Sequence, residues 1–142
     1  MKKFIVMSMI LTAFVVNAHA SQAQEEACSD DSTAGMLECG SKRLELADKD
    51  LNITYRETMS KARAFYAFDS RLQTEFLSRL KAAEKAWIVF RDAQCNLHAA
   101  VEGLGGSIER VVNLSCLIEQ TEKRTDTLKQ ILSSLDGDAG TK

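Results

Sequence analysis

From Leu44 to Leu135 apolar side chains return every three or four residues, and no proline interrupts them. That spacing lines them up on one face of a helix and is the strongest secondary-structure signal a sequence carries. Leu44, Ala47, Leu51, Tyr55, Met59 and Ala62 form a first run. Leu72, Phe76, Leu80, Ala83, Trp87, Phe90, Ala93 and Leu97 form a second. The third is Val111, Leu114, Ile118, Thr121, Thr125, Leu128, Leu132 and Leu135, the least apolar because two places are Thr. No strand-length alternation competes, so the chain is expected to be all-α.

The breaks between runs agree. Phe68-Asp69 precedes Ser70-x-x-Gln73, which reads as a capping box with Ser70 as N-cap. Gly103-Leu104-Gly105-Gly106-Ser107 ends one helix and caps the next, with Ser107 as N-cap. The first helix begins between Thr33 and Ser41, with Gly40 costing propensity inside the longer version. Helices are therefore expected near 33–67, 70–103 and 107–135. At 1.5 Å per residue they are about 40–50 Å long. Short connections make neighbours antiparallel, giving an elongated three-helix bundle.

The first twenty residues read as an address. Lys2 and Lys3 are a positive start, Phe4 to Val16 an apolar stretch of thirteen residues, and Ala18-His19-Ala20 a small-residue cleavage site. This is the pattern of a secretory signal peptide, and thirteen residues are too few to span a bilayer. No cysteine stands at the cleavage point, so a soluble rather than lipid-anchored form is expected. The organisation is then signal peptide 1–20, flexible acidic arm 21–32, helical domain 33–135 and disordered tail 136–142. The arm's acids, Glu25, Glu26, Asp30 and Asp31, are expected to have ordinary carboxylate pKa values.

Removing residues 1–20 takes two lysines and no acid from a chain of net charge -2, leaving -4 on 122 of the 142 residues. That balance excludes a strongly basic nucleic-acid binder. All four cysteines survive, and an even number in an oxidising compartment reads as two disulfides. No C-x2-C spacing suggests zinc.

In an antiparallel hairpin, residues equidistant from the turn lie at one level. With turns centred near residue 69 and residues 105–106, Cys95 lies opposite Cys116, leaving Cys28 for Cys39. Cys39 also falls near the level of Cys95, so the pairing of Cys28 with Cys116 and Cys39 with Cys95 stays open. The same argument gathers polar and aromatic residues. Asp48 is level with Arg91, and Arg91 with Thr121; Asn52 is level with Trp87, and Trp87 with Arg124; Tyr55 is next on the face of Asp48 and Asn52. Arg91 is expected to pair with Asp48, and Arg124 to stack on Trp87 as a cation–π contact. Asn52 would satisfy an indole or backbone group. Such a cluster fixes helix register or forms a binding site.

Catalytic signatures are missing. There is no G-x-S-x-G, H-E-x-x-H or phosphate-loop pattern, and His98 is the one histidine after the signal. With the thiols expected to be oxidised, no nucleophile stands out. The chain reads as a binding protein rather than an enzyme, with no metal and no cofactor.

Ala47-Asp48-x-x-Leu51-Asn52-x-x-Tyr55 is a distinctive run. So is Ala86-Trp87-Ile88-x-Phe90-Arg91-Asp92-Ala93-x-Cys95, followed by Gly105-Gly106-Ser107 and Cys116-x4-Thr121-x2-Arg124-x3-Leu128. In this order they resemble the LprI-type family of small secreted bacterial proteins, named for a lysozyme inhibitor. The resemblance spans about Cys28 to Leu128. Glu84-Lys85 stands where the family often has Gln-Arg. It implies a periplasmic or secreted helical protein that binds another protein, lysozyme being the named partner. An acidic chain suits a basic partner, because opposite charge steers encounter. The contact candidates are the acidic arm and the turn from Gly103 to Ser107. The alternative is an envelope interaction or scaffold module with another partner. A third reading, a small hydrolase or ligand carrier centred on Asp48, Trp87 and Arg91, requires an open cavity there.

Overall fold

A computed structural model describes residues 28–137. The expected signal peptide, the arm up to residue 27 and the tail from residue 138 lie outside the described residues. Three helices follow one another: α1 (Thr33–Phe65), α2 (Ser70–Gly103) and α3 (Ser107–Gly137). No strand occurs among the described residues. The fold is the all-α three-helix bundle expected, with disulfides Cys28–Cys39 and Cys95–Cys116. The crossed pairing of Cys28 with Cys116 is thereby set aside.

Local chemistry explains the ends. Ser32 is the N-cap of α1, and its hydroxyl accepts from the Gly35 amide at 3.1 Å. Asp30 holds that cap, accepting from the Ser32 amide at 2.8 Å and from its hydroxyl at 2.9 Å. The Ser32 backbone amide, then its hydroxyl, keep the Asp30 carboxyl below its ordinary pKa. That corrects the expectation of an unshifted acid at this position. α2 is capped by Asp69 rather than Ser70: the Asp69 carboxylate accepts from the amides of Arg71 and Leu72 at 2.9 and 3.1 Å. A carboxylate there also meets the positive end of the helix dipole. Gln73 therefore reaches elsewhere, donating to the Arg63 carbonyl at 2.9 Å and closing the turn between α1 and α2.

α3 begins with Ser107 as its first residue, so Ser107 lies inside the helix. Gly105 takes a φ of 77°, a conformation that suits glycine, and its amide donates to the Glu109 carboxylate at 2.6 Å. At its other end α3 runs to Gly137, so the first two residues of the expected tail are helical.

α3 is the central element. It packs most extensively along α1, then along α2, while α1 and α2 meet at few points. α1 and α3 run parallel and close together. Gly40 eases this approach: a Cβ there would stand 3.3 Å from Cδ1 of Leu114, tighter than ordinary contact. The α1 face that α3 covers is Ala47, Leu51, Thr54, Thr58 and Ala62, all buried. Thr58 and Thr125 donate their hydroxyls to the carbonyls of Thr54 and Thr121, so they pack as small side chains with no orphaned group. Leu51, Leu80 and Leu128 form the central apolar cluster, with Tyr55, Met59, Phe76, Trp87 and Ile131 against it.

The second sequence run departs from its expected burial. Leu72, Phe76, Leu80 and Trp87 face the bundle, but Ala83, Phe90, Ala93 and Leu97 are exposed. Beyond Trp87 the inward face continues as Arg91, Cys95 and Ala99. The reason lies in the links to α3. Cys95 is bonded to Cys116, Asn113 donates to Asn96 at 2.8 Å and Arg91 donates to Thr121, and together they fix the rotation of α2.

Candidate functional site

Because α1 and α2 scarcely touch, a groove of about 460 Å3 opens between them. Asp48, Leu51, Asn52 and Tyr55 line one wall; Lys81, Glu84, Lys85, Trp87, Ile88 and Arg91 line the other. The four-residue helical step places Asp48 and Asn52 on one face of α1, and Trp87 and Arg91 on one face of α2.

Arg91 is the hub. Its side chain is 14% exposed, and one terminal nitrogen donates to Asp48 Oδ1 at 3.3 Å and to Thr121 Oγ1 at 3.2 Å. Its Nε donates to Asp92 at 2.9 Å. The guanidinium carbon sits 5.1 Å from the centre of the Trp87 ring. Arg124, from α3, lies 5.8 Å from the same ring. One indole between two guanidiniums is a stacked arrangement worth roughly 1–2 kcal/mol per contact when partly desolvated.

The expected cluster is thus brought together in part. Asp48, Trp87, Arg91, Asp92, Thr121 and Arg124 join one network. Asn52 instead donates to the Asp48 carbonyl at 2.8 Å, within its own helix. Tyr55 packs on the Leu51, Leu80 and Leu128 cluster and lines the groove. Glu84 belongs to the network although levels alone did not select it. It accepts from Arg124 Nε at 3.0 Å, and both side chains are nearly buried, 13% and 14% exposed. Its position one turn before Trp87 was the available signal. Lys81 and Lys85 add two cations at the rim.

The two ends of the bundle differ. Both disulfides lie at the end formed by the start of α1 and the turn from Gly103 to Ser107. Residues 28–46 and 94–116 there carry six acids against three bases. Residues 56–81 and 126–137 at the opposite end carry seven bases against five acids. The expected contact turn is exposed, with Leu104 open to solvent. No cluster of acids, histidines or cysteines suited to a metal ion occurs among the described residues.

A family model described as lysozyme inhibitor LprI matches residues 23–128. The chain belongs to the LprI family. An uncharacterised protein of Rhizobium meliloti (strain 1021) is 34% identical over 133 residues, covering 89% of this chain and 93% of the relative. The uncharacterised protein YecT of Escherichia coli (strain K12) is 28% identical over 138 residues, covering 86% of this chain and 81% of YecT. A crystal structure of a DUF1311 family protein from Pseudomonas putida KT2440 superposes with a TM-score of 0.62 at 24% identity. It covers 75% of this chain and 97% of that one, and DUF1311 and LprI are the same family. That likeness establishes the shared fold. The LprI family takes its name from an inhibitor rather than from an enzyme. No helix among the described residues is long and apolar enough to cross a membrane.

Proposed function

We propose that this protein is a periplasmic or secreted inhibitor that binds a basic lysozyme through its acidic, disulfide-braced end. The observation that carries the reading is the placement of both disulfides at the end where acids outnumber bases two to one. A rigid end loses little conformational freedom on binding, and an acidic one attracts a basic partner before contact. Asp30, Asp31, Glu38, Glu102 and Glu109 supply the charge, and the turn from Gly103 to Ser107 supplies a protrusion that can enter a cleft. The family name supports the choice of partner, and the two disulfides suit an oxidising compartment.

The groove supports this function less directly. Its acids Asp48 and Glu84 are engaged by Arg91 and Arg124, so it holds α1, α2 and α3 in register as much as it offers a surface. The test is muramidase activity of a basic lysozyme titrated with the oxidised protein at several salt concentrations. Saturable inhibition that weakens with salt is expected. Replacing Asp30, Asp31 and Glu38 together by Lys should weaken it more than tenfold. Full lysozyme activity at low salt with excess protein overturns the proposal.

A further inference from the structure

The outer face of α2, continued by its C-cap residue Leu104, is apolar along about 27 Å from Ala86. It lies opposite the face that carries Trp87, Arg91, Cys95 and Ala99 into the bundle. Two seven-residue series make it up. Ala86, Ala93 and Ala100 are small; Phe90, Leu97 and Leu104 are large. The large members are 57%, 65% and 80% exposed, and no Asp, Glu, Lys or Arg interrupts either series. A seven-residue repeat is the spacing of a helix–helix seam, which this chain's own α1 and α3 leave unpartnered.

We infer that the occupant is α2 of a second copy, packed antiparallel about a two-fold axis level with Cys95. Such an axis pairs positions whose numbers are symmetric about 95. Leu104 then falls beside Ala86 of the other copy, Phe90 beside Ala100, and Leu97 beside Ala93. Every pair sets a large side chain against a small one, and Val89 meets Val101, so the face is self-complementary as a two-fold interface demands. Antiparallel order also opposes the helix dipoles of the two copies.

The area is sufficient. Side chains of this size at these exposures leave roughly 100 Å2 each open, on the order of 600 Å2 per chain with the alanines. Two copies would bury about 1,200 Å2, the lower end of the range for stable interfaces. An interface at that end of the range suits reversible self-association. Leu104 lies both in this seam and in the turn assigned to lysozyme, while self-association needs no inhibitor activity and is read without lysozyme.

The test is sedimentation equilibrium of the oxidised protein from about 1 to 200 μM, with L97E alongside. A reversible monomer–dimer equilibrium is expected, weakened at least 100-fold by L97E with unchanged helical circular dichroism. A photo-crosslinking amino acid at position 86 then reports the order: cross-links should map to residues 100–107 of the other copy. A monomer at every concentration overturns the inference. So does a dimer indifferent to L97E, or a cross-link joining position 86 to residues 83–90 of its partner.

Discussion

Arg91 of α2 donates to the hydroxyl of Thr121 on α3, 3.2 Å away, with the guanidinium nearly enclosed and Thr121 wholly buried. The same terminal nitrogen meets Asp48 of α1, so one side chain ties all three helices. Truncating it leaves a buried hydroxyl without its donor and two carboxylates without their cation. Because Asp48 is 44% exposed and partly screened, R91A is expected to cost about 2–3 kcal/mol rather than the full cost of a sealed ion pair. R91K keeps the charge but loses the fork of donors, and should recover less than half of that. Urea unfolding midpoints measure both, and an unchanged R91A midpoint would contradict the hub role.

The meeting of Arg91 with Asp48 is legible in the sequence because helix rise is constant and the turns are short. So are the three helices, whose bounds fall within two residues of those expected. What sequence reading lost was rotation and small polar packing. Thr54 and Thr58 look like surface residues, yet each is buried, with Thr58 bonded back to the Thr54 carbonyl. Phe90 and Leu97 look like core residues, yet the links from α2 to α3 turn them outward. Apolar periodicity identifies a face that seeks cover but not which partner covers it. The charge polarity of the two ends emerged only once the levels of all three helices were known.

That rotation separates two leucines. L128A should cost about 3–5 kcal/mol, since Leu128 is fully buried at the centre of the apolar cluster. L97A, measured at concentrations low enough to keep the protein monomeric, should change stability by less than about 0.5 kcal/mol. Denaturant unfolding of both variants decides the matter. Equal losses would place Leu97 in the core and reverse the assigned rotation of α2.

Glu84 and Arg124 form the most enclosed ion pair among the described residues. Each partner shields the other, so removing either alone strands a charge near the groove. E84A and R124A are each expected to cost about 2–3 kcal/mol, with the double variant less harmful than their sum. A double-mutant cycle should return a coupling of at least about 1 kcal/mol. A coupling near zero would mean that the pair contributes nothing beyond its two separate side chains.

Cys95–Cys116 closes a sequence separation of 21 residues across the Gly-rich turn, and Cys28–Cys39 one of 11. By chain entropy the first should contribute about 3 kcal/mol, and the second somewhat less. The pair C95S and C116S should therefore lower the unfolding free energy by roughly that amount. It should also weaken lysozyme inhibition, because the turn would lose its brace. Non-reducing peptide mapping of the wild-type protein should recover these two linkages and no peptide joining Cys28 to Cys116.

Asp30 gives the acid limb of stability a specific origin. Its folded pKa lies below the ordinary 3.8, chiefly because the Ser32 amide and then its hydroxyl donate to the carboxylate. The group thus favours the folded N-terminus of α1 fully above the unfolded pKa. That contribution is lost as pH falls from about 3.8 through the lower folded value. Carbon-detected titration of the Asp30 carboxyl should show a midpoint below 3.8, and S32A should bring it back towards that value. Amide hydrogen exchange at Gly35 and Met36 should quicken over the same window in the wild type, since those amides depend on the Ser32 cap. In D30N the exchange should be faster at neutral pH and show no step on acidification. A wild-type midpoint at or above 3.8 would detach Asp30 from the cap.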